Sequence, residues 1–285
     1  MTSIAEAEPL PGLFVDAEWL TQHLKDRDLR IVQVGGENYY SQNHIPGAVL
    51  VRLQELTVTV DKIPGMRPSR TALVGLFGRL GIGPKTQVVA YDSSGGMDAA
   101  RLVWTLATLG HTGAAVLDGG MVLWYQGGRP VTHVAPRIPP ASFKAKTDDR
   151  WEITGKAVLE LSEKGDDAAG PILLDTRSDG EYLGKVLRGP RGHIPGARHM
   201  DWLDALADRN QPLLKDRTQI QRRLVDAGIT DPQRPVVVYC QTAHRASHTW
   251  VLLRHLGYQD VRLYDGSIAE WDVRGWPLVS GAGLR

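Results

Sequence analysis

The chain has 285 residues, of which 42% are apolar and 23% charged, with a formal net charge of +1. This composition is that of a globular protein with enough apolar residues for two modest domains, and it excludes collagen, coiled coil and extended disorder. The near-zero net charge argues against a dedicated binder of nucleic acid or anionic lipid.

Cysteine content and the apolar runs bear on the environment of the protein. Cys240 is the only cysteine, so no intrachain disulfide can form, and we expect a reducing, cytoplasmic environment. Residues 1–13 contain Glu6 and Glu8 and lack the apolar stretch of a secretory signal. The apolar runs fall far short of the roughly 18 residues of a membrane-spanning helix. The sequence therefore predicts neither a secretory signal nor a membrane span.

Short β-branched runs alternate with amphipathic stretches along the chain. In the first half the predicted strands are 29–34, 87–91 and 114–117, with a helix over 99–109 between the last two. In the second half the predicted strands are 171–174, 236–239 and 261–264, with a helix over 246–256. This alternation is typical of an α/β fold built on a largely parallel sheet. In such sheets ligands bind beyond the carboxyl ends of the strands.

The two halves are related by an internal repeat. His-Ile-Pro-Gly-Ala occupies residues 44–48 and 193–197, and four shorter matches follow in the same order at a constant spacing. They include Trp124 and Trp271. Repetition at a long fixed period predicts two related domains, which we place at 1–138 and 150–285 with a proline-rich linker at 139–149. Because His44, His193 and the two tryptophans occur in both halves, they are interpreted as architectural residues.

The strongest candidate site is the turn after the predicted strand 236–239. It reads Cys240-Gln241-Thr242-Ala243-His244-Arg245 and precedes the predicted helix. A tight loop that enters a helix turns backbone N–H groups inward, and the helix N-terminus adds partial positive charge. With the cation of Arg245 nearby, we expect Cys240 to be held as a thiolate, the nucleophilic form of cysteine.

These features resemble the two-domain rhodaneses, or thiosulfate sulfurtransferases, over nearly the whole chain. The resemblance is carried by the repeated His-Ile-Pro-Gly-Ala, by Asp175-Thr176-Arg177 after a strand and by one active cysteine in the second half. The Cys-Gln-Thr-x-His-Arg loop is similar to that of bacterial thiosulfate sulfurtransferases. The resemblance implies an α/β fold of tandem rhodanese-like domains, each a mostly parallel sheet flanked by helices. The N-terminal domain would be catalytically silent and form one wall of the cleft.

The resemblance also implies a reaction, in which Cys240 takes the outer sulfur of thiosulfate, releases sulfite and passes the sulfur from a persulfide to cyanide or a thiol. Cys240 and Arg245 are the expected catalytic residues. The expected substrate-binding residues are Gln241, Thr242, Ala243, His244 and Arg177. No cofactor, metal, nucleic acid or membrane is expected to take part. A monomer is expected, because two domains can bury the cleft between themselves.

Two positions depart from the family pattern. Many animal-type rhodaneses and mercaptopyruvate enzymes have a donor-contacting arginine where this chain has Glu181. That role is therefore not transferred, and Lys185, Arg188 and Arg191 become further candidates for contact with the donor's sulfonate. The N-terminal copy of the loop begins at Asp92 instead of a cysteine and is one residue longer, so nucleophilic cysteine chemistry is not expected there.

Four alternative interpretations fit the loop less well. 3-Mercaptopyruvate sulfurtransferases typically carry Cys-Gly-Ser-Gly-Val-Thr, from which this loop departs at every position after Cys240, so mercaptopyruvate is the alternative donor. Cysteine phosphatases have five residues between Cys and Arg where this chain has four, and the smaller ring suits a single sulfur atom. A binding module without activity has no need of Cys240 and Arg245. Zinc ligation by Cys240, His244 and His248 requires one continuous helix, whereas Cys240 follows a strand.

Overall fold

The chain folds as two halves with the same α/β architecture. A computed structural model describes residues 9–165, 170–208 and 210–281. Residues 1–8, on which part of the secretory-signal expectation rests, lie outside the described residues. Among the described residues, no helix has the length and apolar character needed to cross a membrane.

The N-terminal half is a five-stranded parallel sheet in the order β1-β7-β6-β2-β3, with a separate antiparallel hairpin of β4 and β5. Its strands are β1 (Phe14–Val15), β2 (Leu29–Val34), β3 (Val49–Val51), β4 (Val58–Val60), β5 (Ile63–Met66), β6 (Gln87–Tyr91) and β7 (Ala114–Leu117). Its helices are α1 (Ala17–His23), α2 (Glu37–Gln42), α3 (Leu53–Leu56), α4 (Arg70–Arg79), α5 (Met97–Thr108) and α6 (Gly120–Gln126).

The C-terminal half repeats this sheet, in the order β10-β9-β11-β12-β8 with all pairs parallel. Its strands are β8 (Glu152–Ile153), β9 (Ile172–Asp175), β10 (Arg198–His199), β11 (Val236–Tyr239) and β12 (Val261–Tyr264). Its α-helices are α7 (Gly155–Lys164), α8 (Asp179–Tyr182), α9 (Arg217–Asp226), α10 (His244–His255) and α11 (Ser267–Val273), with 3-10 helices at Asp149–Trp151 and Trp202–Ala205. The predicted tandem, mostly parallel sheets are confirmed.

The two halves meet through the helices that follow the two loops. Helices α5 and α10 are buried almost throughout and pack against each other. The largest hydrophobic cluster draws on both sheets and includes Val34 and Trp104 from one half and Val238 and Trp250 from the other. Burial of apolar surface is the main favourable term in folding, so this shared core couples the halves. It also brings the Asp92 loop and the Cys240 loop to the same junction.

The repeated histidines lie in the same local structure in both halves. His44 Nδ1 is 2.8 Å from the carbonyl of Tyr40, on whose ring it stacks. His193 Nδ1 is likewise 2.8 Å from the carbonyl of Tyr182 and stacks on that ring. These contacts hold the turn of each His-Ile-Pro-Gly-Ala segment and agree with an architectural role.

The segment between the halves lies along the N-terminal half. Residues 127–148 form no helix or strand, yet Phe143 is buried in the shared core. The backbone N–H of Ala141 donates to Gly78, and that of Lys146 donates to Leu109. The predicted linker at 139–149 is therefore held to the N-terminal half at Phe143 and by these two backbone hydrogen bonds, while its boundaries stay a prediction.

Candidate active site

Cys240 lies at the carboxyl end of β11, a central strand, and is 1% exposed. Its backbone N–H donates to the Ser267 hydroxyl at 3.2 Å, and its carbonyl accepts from the Ile268 N–H at 3.1 Å. The first turn of α11 thus fixes the backbone of the cysteine. Ala243, at φ 64°, adopts the left-handed conformation that turns the chain into α10 at His244.

The backbone N–H groups after Cys240 are not used by the fold. None of the residues described by the structure accepts a hydrogen bond from the amides of residues 242–246. These amides belong to the turn and to the first turn of α10. Unpaired amides at a helix start carry partial positive charge and favour an anion. The chain around Cys240 is therefore suited to stabilise negative charge on sulfur.

The corresponding loop of the N-terminal half carries its own anion. Asp92 follows β6 as Cys240 follows β11, and Asp92 is 1% exposed. Its two carboxylate oxygens accept four backbone N–H groups, each at 2.8 Å, from Ser94, Gly96, Asp98 and Ala99. The duplicated loop thus shows, within the same chain, how this backbone surrounds a negatively charged group. At the C-terminal loop the chain supplies a thiol in place of that carboxylate.

Arg245 forms a two-pronged ion pair with Glu181. Its Nη1 is 2.7 Å from Oε2 and its Nη2 is 2.9 Å from Oε1 of the carboxylate. Burial opposes the ionised form of Glu181, but Arg245 and hydrogen bonds from Ser178 bring the pKa of Glu181 down to about 2. Burial likewise opposes the charge of Arg245, yet Glu181 and the neighbouring Cys240 raise the Arg245 pKa above its usual value. Both groups are therefore charged at neutral pH.

A cleft of about 540 Å³ lies between the halves beside this ion pair. Residues 93–95 of the Asp92 loop line one part of it. Residues of the C-terminal half, including Glu181, Trp202 and Arg245, complete the lining. Cys240 does not line this cleft, whereas Arg245 joins the cleft to the loop in which Cys240 lies. Both halves therefore contribute residues to this cleft, while its role as the active-site cleft stays a prediction.

The N-terminal half also holds the active loop from two sides. His244 Nδ1 is 3.1 Å from Oδ1 of Asp98, which lies in the first turn of α5. On the other side the hairpin residue Gly65 lies against Thr242, and a Cβ built at Gly65 would stand 2.7 Å from that of Thr242. The N-terminal half thus positions two of the residues expected to bind substrate.

The structure brings most of the predicted site together and separates one residue from it. Residues 240–245 form one turn and helix start, as the sequence implied. Arg177, in contrast, is fully buried, binds Asp175 at 2.5 Å and donates to the Gly192 carbonyl at 2.6 Å. Its guanidinium braces the end of β9 and does not line the cleft. The expected contact between Arg177 and the donor therefore has no support in the structure.

The other cationic candidates are also absent from the cleft lining, which among the described residues includes none of Lys185, Arg188 and Arg191. Sequence reasoning missed the role of Glu181, which it treated only as the absence of an arginine. The one local signal was Ser178 three residues earlier, a capping-box spacing that ties Glu181 to the start of α8. The capping box alone does not reveal that Glu181 also faces Arg245.

The three residues of the zinc alternative do not converge. His244 faces Asp98, and His248 packs edge-on against Phe14 and Trp202 at the junction of the halves. Across residues 9–165, 170–208 and 210–281, no three His, Cys, Asp or Glu side chains are grouped as metal ligands.

Comparison with known proteins agrees with this geometry. The rhodanese-like domain matches the chain twice, over residues 16–127 and 154–273. A thiosulfate sulfurtransferase of Azotobacter vinelandii is 35% identical over 260 residues, 91% of this chain and 93% of that protein. The sulfur carrier protein TtuD of Thermus thermophilus is 32% identical over 284 residues, 95% of this chain and 98% of that protein.

Solved structures show the same fold. SseA of Escherichia coli, described as a 3-mercaptopyruvate sulfotransferase, superposes with a TM-score of 0.79 at 25% identity and covers 90% of this chain and 98% of its own. The relatives therefore support sulfur transfer but differ in the donor named for them. The chain belongs to the rhodanese family of sulfurtransferases, with two rhodanese-like domains in tandem.

Proposed function

We propose that this protein moves the outer sulfur of thiosulfate to cyanide or a thiol acceptor through a persulfide on Cys240. One contrast carries the proposal. In the silent loop four amides bind the Asp92 carboxylate, whereas among the described residues the amides of 242–246 have no acceptor. A persulfide sulfur extending from Cys240 would supply the missing negative charge at the corresponding place.

The first half-reaction is a displacement at sulfur. The Cys240 thiolate attacks the outer sulfur of thiosulfate, a new S–S bond forms, and the original S–S bond breaks with its electron pair leaving on sulfite. The products are a Cys240 persulfide anion and sulfite, and total charge is conserved. In the second half-reaction cyanide attacks the outer sulfur and leaves as thiocyanate, which regenerates the thiolate. A thiol acceptor instead leaves as a persulfide.

Some residues of the Cys240 loop stabilise negative charge, and others fix the position of the loop. The amides of Thr242, Ala243, His244 and Arg245 stabilise the terminal sulfur of the persulfide, as preorganised donors do for a developing anion. Arg245 supplies a permanent cation next to Cys240 and faces the cleft through which the donor arrives. Gln241 holds α11 against the loop, because its carbonyl accepts from the Ala269 N–H at 3.0 Å.

The similarity to SseA keeps 3-mercaptopyruvate as the alternative donor, and the name of the Thermus thermophilus relative favours a protein thiol among the acceptors. Both alternatives use the same Cys240 persulfide. They differ only in the group that leaves in the first step or attacks in the second.

The test compares wild type with Cys240→Ala. Thiosulfate alone should add one sulfur atom to the intact mass of wild type and nothing to the variant, and only wild type should form thiocyanate when cyanide follows. Mercaptopyruvate assayed in parallel assigns the donor from the ratio of the two kcat/KM values. An unchanged mass with both donors would contradict the persulfide mechanism and favour a binding module or phosphatase chemistry.

A further inference from the structure

The ion pair of Glu181 and Arg245 uses both terminal nitrogens of the arginine. Nη1 and Nη2 each donate to one oxygen of the carboxylate, at 2.7 and 2.9 Å. The same carboxylate accepts from the Ser178 hydroxyl at 2.8 Å and from the Ser178 N–H at 3.1 Å. The carboxylate is therefore anchored at the start of α8 and holds the guanidinium in turn. Such two-pronged pairing has the geometry with which arginine also binds oxyanions.

Acidic side chains outnumber basic ones among the described residues that line the cleft. Of the described residues that line it, Arg245 is the only lysine or arginine, while Glu181 and Asp201 both contribute carboxyl groups. The low pKa of Glu181, about 2, keeps it ionised throughout the neutral range. The pair thus cancels the positive charge of Arg245. An unpaired Arg245 would attract an incoming anion, whereas the Glu181 carboxylate beside it repels the anion.

We propose, given the persulfide reaction above, that Glu181 determines donor specificity by limiting the negative charge that the cleft accepts. A donor's anionic group reaches Arg245 only by displacing or sharing its carboxylate partner. Doubly charged thiosulfate bears the largest electrostatic penalty, and the penalty decreases for donors of lower net charge. Glu181 does not touch the reacting sulfur in this scheme, and its effect appears in donor capture and not in persulfide discharge.

The effect of Glu181 on kcat/KM should depend on the net charge of the donor. Coulomb energy is proportional to the charge of the donor, so the factor for a dianion is the square of the factor for a monoanion at the same distance. Removal of the Glu181 charge should raise kcat/KM about tenfold for thiosulfate and about threefold for a monoanionic donor. A donor with no net charge should change less than about twofold.

Three donors have the same type of outer sulfur and differ in net charge. They are thiosulfate (charge −2), methanethiosulfonate (charge −1) and zwitterionic 2-aminoethanethiosulfonate (net charge 0). Each reacts as Cys–S⁻ + R–SO2–S⁻, giving Cys–S–S⁻ and R–SO2⁻, with O⁻ in place of R for thiosulfate. Donor kcat/KM is measured for wild type, Glu181→Gln and Asp179→Asn. The amide introduced by Glu181→Gln retains an oxygen that can accept from Ser178, which preserves the helix start.

Asp179→Asn is the matched control, because Asp179 lies on the same helix, its side chain is 86% exposed, and it does not pair with Arg245. We expect Glu181→Gln to raise kcat/KM most for thiosulfate and least for 2-aminoethanethiosulfonate. Asp179→Asn should change kcat/KM for all three donors by less than about twofold. The discharge rate of a preformed persulfide by a neutral thiol should be unchanged in Glu181→Gln. An equal factor for all three donors, or the same gradient in Asp179→Asn, would overturn the proposal.

Wild type alone provides a second test that does not depend on the folding of the variant. Each donor's kcat/KM is divided by its rate constant with free cysteine thiolate. The normalised value should increase from thiosulfate to 2-aminoethanethiosulfonate, and a flat or opposite trend would overturn the proposal. If no donor adds sulfur to Cys240, the persulfide reaction itself fails, which is a separate result.

Discussion

The Asp92 carboxylate, in the loop that follows β6, should strongly stabilise the N-terminal half. Asp92 accepts four backbone N–H groups at 2.8 Å and is almost fully buried. In Asp92→Asn the amide oxygen can keep two of these bonds, but the NH2 group faces the other two donors and cannot accept from them. Two buried N–H groups then lose their acceptor.

The expected cost follows from these two groups. A buried donor without a partner costs about 1–3 kcal/mol, so the pair costs about 2–6 kcal/mol. Burial, together with the charge of Asp98, raises the pKa of Asp92 above its usual value despite the N–H groups that lower it. Removing the buried charge therefore recovers part of the loss. We expect Asp92→Asn to lower the free energy of unfolding by about 2–4 kcal/mol at neutral pH.

The assay is urea unfolding followed by tryptophan fluorescence. Because the largest hydrophobic cluster contains residues of both halves, we expect the halves to unfold together, so one transition reports the change. Asp28→Asn is the control, since it makes the same chemical change at an exposed aspartate of the same half. A loss below about 1 kcal/mol in Asp92→Asn, or an equal loss in Asp28→Asn, would refute this account of the silent loop.

Two further predictions concern the junction of the halves. Burial lowers the pKa of His248 to about 4, well below the usual histidine value of about 6.5. Below about pH 6.5 the unfolded chain therefore binds a proton at His248 that the folded chain rejects, and this one group should remove about 2 kcal/mol of stability between about pH 7.5 and pH 5. His111, His193 and His255 also have pKa values lowered by burial, so both proteins should lose stability, but His248→Phe should lose about 2 kcal/mol less than wild type when both are unfolded in urea across this pH range. Equal pH profiles would contradict the assignment. Gly65→Ala places a Cβ 2.7 Å from that of Thr242, so thiosulfate kcat/KM should fall about tenfold or more. Gly47→Ala has a similar φ of +83° with nothing within 4 Å, so it should lose stability but not activity, and an equal loss of activity in both would exclude the hairpin contact as the cause.

The central strands could be predicted from sequence because each is a buried β-branched run. The predicted bounds 29–34, 87–91 and 236–239 are those of β2, β6 and β11, while β9 begins and ends one residue later than predicted. The two-residue edge strands were not predicted, since pairing with a neighbour defines them and their own pattern does not. Helix α10 begins at His244, two residues before the predicted start, because left-handed Ala243 turns the chain directly into the helix.

The candidate site could be predicted only as far as it is local in sequence. Cys240 and Arg245 lie in one turn, and the motif places them together. The partner of Arg245 is 64 residues away, and that of His244 is 146 residues away, so no local pattern shows either pair. Arg177 shows the converse difficulty. An arginine two residues after Asp175 fits either a ligand-binding group or a brace, and only its complete burial identifies it as a brace.

The contrast between Asp92 and Cys240 suggests a structural role for the N-terminal loop, as a support for the Cys240 loop. Helices α5 and α10 pack against each other, so the start of α5 must stay fixed if α10 and the active loop are to keep their positions. A carboxylate that satisfies the amides permanently makes that support rigid. In the proposed reaction the Cys240 loop must leave its amides unpaired to bind a sulfur anion, which costs stability that the fixed half can offset. The fixed N-terminal half therefore supports the loop in which we propose the persulfide forms.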